Sequence, residues 1–148
     1  MKKILFLLIF ISLNLMSFSQ TNLIKWKVSK IKCDNDSCAI NISANIAKHW
    51  YLYGINIEDG GPLPLLITLE NQDGHSISGA IYDNSKTQIK YDDFFKINIE
   101  TISEEAKFEF VFAAGDNVEN LILIIDGQIC NSVDGKCMAI YEKIEIEN

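Results

Sequence analysis

The sequence predicts an all-β fold, a sandwich of about eight or nine short strands. Three observations carry that expectation. Apolar residues alternate with polar ones in stretch after stretch, the period of a strand with one buried face. Turn-forming residues recur roughly every 8–12 residues along the chain. Beyond the N-terminal stretch, no segment sustains the 3.6-residue period of an amphipathic helix.

Residues 1–19 read as a signal peptide. Lys2 and Lys3 form a positive start, Ile4–Leu15 is an apolar core too short to span a bilayer comfortably, and Ser17 and Ser19 are the small residues a signal peptidase reads. No cysteine lies at the cleavage point, so a lipid anchor is not expected. Residues 20–148 suit one domain with its own core, exported to the periplasm or secreted. Without Lys2 and Lys3 the chain holds 11 Lys against 20 acidic residues, a net charge of −9, and no arginine. An acidic surface without guanidinium groups is a poor partner for phosphate, so nucleic acid is not expected to bind.

Taken in order, Leu23–Ile31 alternates through Ile24, Trp26 and Val28. Asp34-Asn-Asp-Ser37 is a turn, and Cys38–Ile46 resumes alternation through Ile40, Ile42, Ala44 and Ile46. The two form a hairpin with Cys33 and Cys38 on either side of its loop. An aromatic-rich strand, Lys48–Ile57, ends at Asp59-Gly-Gly-Pro62, where the glycines and proline favour a turn. Within it, Tyr51 and Tyr53 face one way and Trp50 and Leu52 the other, so one pair is core. Leu65–Leu69 is a strand and Asn71–Gly74 a tight turn. His75–Lys90 is weaker and polar, with short extended pieces around Ile77 and Ile81. After Tyr91-Asp-Asp-Phe-Phe95, Lys96–Ile102 alternates. Ser103–Ala106 turns the chain into Phe108, Phe110 and Phe112, one aromatic strand face. Ala113–Asn120 is a loop, Leu121–Cys130 a strongly apolar strand, and Met138–Ile146 a final strand.

Between those last two strands lie Cys130 and Cys137, flanking a short polar loop with Asp134-Gly135 as its turn signal. In an oxidising compartment the paired short spacings suggest disulfides Cys33–Cys38 and Cys130–Cys137. The sequence by itself leaves other pairings open. The C-x4-C and C-x6-C spacings lack a CxxC knuckle and lie far apart, so no metal site is expected. His49 and His75 are single histidines without a partner motif.

Together, Trp26, His49-Trp-Tyr-Leu-Tyr53, Gly60-Gly-Pro62, Tyr91-Asp-Asp-Phe-Phe95 and the run from Gln128-Ile-Cys130 through Cys137 resemble the N-terminal periplasmic domain of the thiol:disulfide interchange protein DsbD, also described as a disulfide-bond corrector domain. The matching pieces span nearly the whole chain after residue 19. The resemblance implies an immunoglobulin-like sandwich whose cysteine pair takes electrons from a thioredoxin-like domain and passes them to oxidised periplasmic proteins. By position, Cys130 and Cys137 are the exchanging thiols, and family analogy makes Cys137 the outer sulfur. Phe94 and Phe95 match the cap segment that covers the disulfide, and Tyr51 and Tyr53 the aromatics that flank it. The cysteine spacing is longer than the family usually shows. Met138-Ala139 replaces a proline often found there, and Lys96 stands where many members have glycine. Neither a membrane electron-carrying domain nor a C-terminal thioredoxin domain precedes Asn148. Thioredoxin-fold proteins or a membrane electron carrier on separate chains are therefore the expected partners, and no cofactor is expected.

Two functions follow. In one, the domain is an electron relay, part of a thiol–disulfide oxidoreductase system rather than a complete enzyme. A thiolate attacks a disulfide sulfur through a mixed-disulfide intermediate, and Asp126 and Asp134 raise, while Lys136 lowers, the thiol pKa nearby. In the other, the domain is a non-redox immunoglobulin-like interaction module with both disulfides structural. An eight-residue ring closed by a disulfide stabilises a fold by about 2.5 kcal/mol. For Cys33–Cys38 a second redox pair is the functional reading, and a structural staple on an exposed hairpin is the expectation, because nothing nearby in the sequence looks like a shield or docking surface.

Overall fold

Alternation written into the chain emerges as two antiparallel sheets packed face to face. The computed structural model describes residues 23–114 and 120–146, and these contain strands and turns but no helix. The expected signal peptide, residues 1–19, lies outside the described residues, as does 115–119 of the loop before the penultimate strand.

The strands are β1 (Ile24–Val28), β2 (Lys32–Cys33), β3 (Ser37–Ile46), β4 (Trp50–Tyr53), β5 (Leu66–Glu70), β6 (Ser76–Ile77), β7 (Gly79–Asp83), β8 (Thr87–Asp92), β9 (Ile97–Ser103), β10 (Glu105–Ala113), β11 (Ile122–Asn131) and β12 (Cys137–Glu145). One sheet runs β1-β3-β10-β7, with β2 also on β3; the other runs β6-β5-β11-β4-β9-β8, with β12 also on β11. Twelve strands replace the expected eight or nine because two are two-residue ladders and because the polar stretch His75–Lys90 divides among three. No residue of β8 is fully buried, so its apolar pattern carries no signal.

The core fills the space between the sheets. Strand β3 turns Cys38, Ile40, Ile42, Ala44 and Ile46 inward, and β10 adds Ala106, Phe108, Phe110 and Phe112. The facing sheet contributes Leu52, Ile67, Leu69, Ile102, Leu123, Ile125 and Ile129. Phe108, Phe110 and Phe112 are thus core, as their spacing predicts. The chain changes sheet between β9 and β10 at Glu104, whose backbone is left-handed (φ 67°) and whose carbonyl accepts the Ile46 N–H at 2.9 Å.

One long-strand expectation shortens at its ends. Lys48–Ile57 yields only Trp50–Tyr53, because His49 takes a left-handed backbone (φ 69°) and the Trp50 N–H turns back to the Ala47 carbonyl at 3.0 Å. In β9 the apolar residues occupy both faces. Ile102 opposes Leu52 in the main core, whereas Ile99 is buried on the outer side. Something covers the outer face of this sheet at one end, and that cover defines the site.

Strand β7 approaches β10 closely enough to require glycine. A Cβ added at Gly79 would lie 2.6 Å from the Val111 carbonyl oxygen and inside contact distance of the Phe110 ring. Backbone cannot retreat from that collision cheaply, so Gly79→Ala should destabilise the domain by about 1–3 kcal/mol. Chemical denaturation measures this; an unchanged midpoint would contradict the packing described.

Candidate functional site

Strand β11 carries the break in pattern that marks the site. Leu123, Ile125, Gly127 and Ile129 face the core in alternation, and Cys130, on the opposite face, is nevertheless 0% exposed. A residue on the outer face of a sheet is buried only when a second layer lies over it. That layer is a small cluster of Cys130, Tyr53 and Ile99, with Tyr51, Ile57, Phe95 and Ile97 packed against it.

Register builds the cluster. Cys130 is paired with Cys137 of β12 on one side and with Tyr51 of β4 on the other, and Tyr51 with Ser103 of β9. One row across four strands therefore holds both cysteines and the first tyrosine. Cys130 and Cys137 form a disulfide with a Cα–Cα separation of 4.1 Å, and Cys33 and Cys38 form the second at 4.0 Å. All four cysteines are thereby paired as their spacing suggests. The disulfide at the site is lopsided: Cys130 is buried and Cys137, at the start of β12, is exposed.

Tyr51 and Tyr53 lie on the cysteine side of β4, their rings edge to face with centroids 5.7 Å apart, while Leu52 enters the core. The Tyr53 hydroxyl donates to Cys130 Sγ across 3.6 Å. Burial, with Tyr51 and the charge on Asp92 adding to it, holds the Tyr53 phenol well above its ordinary pKa. It is a neutral donor at physiological pH.

The segment expected as the cap, Tyr91–Phe95, runs from the end of β8 into the turn before β9. Asp92 Oδ1 accepts the N–H groups of Phe94 (2.8 Å) and Phe95 (3.0 Å), and the Lys96 N–H reaches the Asp92 carbonyl (2.8 Å). Lys96 is left-handed (φ 61°), the conformation that glycine adopts without penalty. The two phenylalanines part company: Phe95 packs on the cysteine cluster, while Phe94 stands 86% exposed with its ring edge-on to Phe95 at 4.9 Å.

The loop between the cysteines is pinned at several points. Asn131 Oδ1 accepts the N–H groups of Val133 (2.8 Å) and Asp134 (3.3 Å), and the Asn131 N–H reaches the Lys136 carbonyl (2.8 Å). The His49 carbonyl accepts both the N–H (2.8 Å) and hydroxyl (3.1 Å) of Ser132. Lys136 pairs with Asp134 at 3.0 Å. The Lys136 N–H and side chain hold the Asp134 carboxyl below its usual range. Each charge therefore has the other as its partner. Beside the tyrosines opens a cleft of about 600 Å³, bordered by His49, Tyr51, Tyr53, Lys90, Asp92 and Ser132.

Sequence reasoning missed Asp92, His49 and Ile99 as parts of the site. Asp92 carries a readable signal, an aspartate two residues before a turn centre, the Asx-turn pattern. His49 acts through its carbonyl and Ile99 through the face it occupies, and neither property is encoded in residue type.

Comparison with known proteins places this geometry. The family model for the N-terminal region of thiol:disulfide interchange protein DsbD matches residues 19–147. Among solved structures, the DsbD N-terminal domain of Neisseria meningitidis in the reduced form is 20% identical, with a TM-score of 0.55 over 82% of this chain and 84% of that one. The N-terminal periplasmic domain of ScsB from Proteus mirabilis is 14% identical, with a TM-score of 0.63 over 88% of this chain and 49% of that one. The complex of the DsbD and PilB N-terminal domains of Neisseria meningitidis aligns at 16% identity and a TM-score of 0.53, over 81% and 80% of the two chains. At these identities the structures share the fold: an immunoglobulin-like sandwich. No match was found among curated protein sequences.

A titration follows from Tyr53. Its pKa is raised in the folded state, so the unfolded chain releases the phenol proton first as pH rises. The stability tied to this group is full below pH about 10, the ordinary tyrosine value, and declines above it. Denaturation midpoints of the native domain should therefore fall more steeply above that pH than those of Tyr53→Phe. Parallel curves would contradict the burial described.

Proposed function

We propose, because this chain belongs to the family of DsbD N-terminal domains, that it relays electrons by thiol–disulfide exchange through Cys130 and Cys137. One observation carries the assignment of roles: Cys130 is sealed under a second layer on the outer face of its sheet, while its disulfide partner Cys137 is open to solvent. A docking protein can reach one sulfur and not the other.

The chemistry follows from that asymmetry. A thiolate of a reduced partner attacks Cys137 Sγ, the S–S bond breaks, and its electron pair leaves on Cys130 Sγ. The Tyr53 O–H, already directed at that sulfur, donates to the new thiolate. The partner's second thiolate then attacks its own bonded sulfur and displaces Cys137. The partner ends as a disulfide and the pair here as a dithiol, with two electrons and two protons transferred. Delivery to an oxidised protein reverses these steps with the second partner's disulfide as acceptor.

Tyr51, Tyr53 and Phe95 act as the shield that keeps Cys130 from direct attack. Phe94, a phenyl ring almost wholly in water beside the site, is the first apolar surface an incoming partner meets. Thioredoxin-fold proteins, or a membrane electron carrier on another chain, are the partners the family resemblance supports. A DsbD N-terminal domain solved together with a PilB domain supports a separate protein as partner. The same likeness supports a periplasmic location, with residues 1–19 as the export signal.

The shield and the open sulfur make a prediction about where attack occurs. Brief exposure to a small thiol, followed by acid quenching and peptide mass mapping, should find the adduct on Cys137 in the native domain. In Phe95→Ala, adducts should appear on Cys130 as well. Adducts shared equally between the cysteines in the native domain would refute the assigned roles.

A further inference from the structure

The second disulfide repeats the design of the first. Cys33 and Cys38 oppose each other directly on adjacent antiparallel strands, as Cys130 and Cys137 do. Cys38 is 1% exposed at the edge of the core, whereas Cys33 is exposed on the two-residue strand β2. Each outer cysteine follows a lysine, Lys32 or Lys136. Each loop is closed by an Asx side chain: Asp34 Oδ1 accepts the N–H groups of Asp36 (3.1 Å) and Ser37 (2.8 Å), the part that Asn131 plays in the other loop.

These contacts also bear on what the bond contributes to the fold. The Asp34 N–H reaches the Ser37 carbonyl at 2.9 Å, closing the turn through backbone. On the far side, the Ser29 N–H reaches the Asn41 carbonyl at 2.8 Å, and the Asn41 N–H returns to Ser29 Oγ at 3.0 Å. The hairpin is thus held on both sides of the disulfide by contacts that do not involve sulfur. A cross-link across a short loop whose ends are already adjacent constrains the unfolded chain least. Opening the bond leaves these backbone contacts in place, and a disulfide with an exposed sulfur, here Cys33, is open to exchange.

Strand β3 sets the distance between the two pairs. Cys38 lies at its start, and its other end, Ile46, leads into His49, whose carbonyl holds the Cys130–Cys137 loop. Eight residues of strand separate the ends by roughly 26 Å. The pairs occupy opposite poles and cannot exchange directly within one molecule.

We propose that Cys33–Cys38 is a second thiol–disulfide exchange site, with Cys33 as the attacked sulfur and a reduced dithiol protein as the electron donor. The donor's thiolate bonds to Cys33 Sγ, the S–S bond breaks, and Cys38 leaves as a thiolate and takes the proton that the donor's second thiol gives up. The donor's second thiolate then resolves the mixed disulfide, so the donor is oxidised and the pair gains two electrons and two protons. The domain then stores electrons at two poles, each loaded by its own encounter.

The test uses the chain with all four cysteines, equilibrated with graded dithiothreitol couples and thioredoxin as an internal standard. Alkylation and peptide mass mapping read each pair separately, and circular dichroism follows the fold. Cys33 and Cys38 should become alkylated together, with half-reduction at a dithiol-to-disulfide ratio no more than about tenfold above the one that half-reduces thioredoxin, and with the β-sheet signal unchanged. A requirement for a more reducing ratio, or opening only as that signal is lost, would overturn the proposal. Because the reference is thioredoxin and not the other disulfide of this chain, this outcome stands apart from whether Cys130–Cys137 exchanges. Cys38→Ser should in addition trap a mixed disulfide at Cys33, while Cys33→Ser should trap none; trapping by both alike would overturn the assignment of the attacked sulfur.

Discussion

Burial of Cys130 on the wrong side of its sheet is the constraint around which this end of the molecule is arranged. An immunoglobulin-like sandwich has one core, between its sheets, and the outer faces ordinarily meet water. Here β11 places two consecutive residues, Ile129 and Cys130, out of solvent. The first is covered by the opposite sheet. The second is covered by what the chain folds over it: tyrosines from β4, Ile57 from the segment after it, isoleucines from β9 and a phenylalanine from the β8–β9 turn. Remove the cover and the sulfur becomes ordinary surface.

Position in that cover is fixed mostly by backbone. The Asp92 carboxylate and carbonyl gather three N–H groups and shape the turn that sets Phe95 inward and Phe94 outward. His49, in a left-handed conformation, offers its carbonyl to Ser132 and ties the cysteine loop to the β3–β4 corner. Backbone strain of this kind persists where surrounding contacts over-determine it, and it concentrates at functional sites. The cysteine loop is therefore tied to the β3–β4 corner, while Phe95 of the β8–β9 turn packs on the cluster that buries Cys130.

How much of this the sequence disclosed depends on whether a residue's role lies in its type or in its surroundings. The alternation of Ile40, Ile42, Ala44 and Ile46, and of Phe108, Phe110 and Phe112, translated directly into core strands because each has one wet face. The short spacings of Cys33 with Cys38 and of Cys130 with Cys137 correctly paired the sulfurs, since a hairpin brings its flanks together. Tyr51 and Tyr53 were legible as facing away from Leu52. Strand β8 was not legible, because a strand with no fully buried residue has no hydrophobic period to read. Nor was the division of labour between Phe94 and Phe95, which sit in a turn where the two-residue rule lapses. Ile99 lies in a stretch whose alternation says nothing of which face is covered, and it serves the outer cluster. Only sheet order shows that both faces of β9 are covered there.

The central claim is that the lopsided Cys130–Cys137 bond exchanges with thioredoxin-type dithiols. Its reduction potential tests this most directly, measured by equilibrating the domain with a thioredoxin couple and counting free thiols at each cysteine. A value in the range of protein exchangers, roughly −180 to −270 mV, is the expected result. A value below about −300 mV would mark a bond that resists exchange, and the covered sulfur would then be a staple in a binding module.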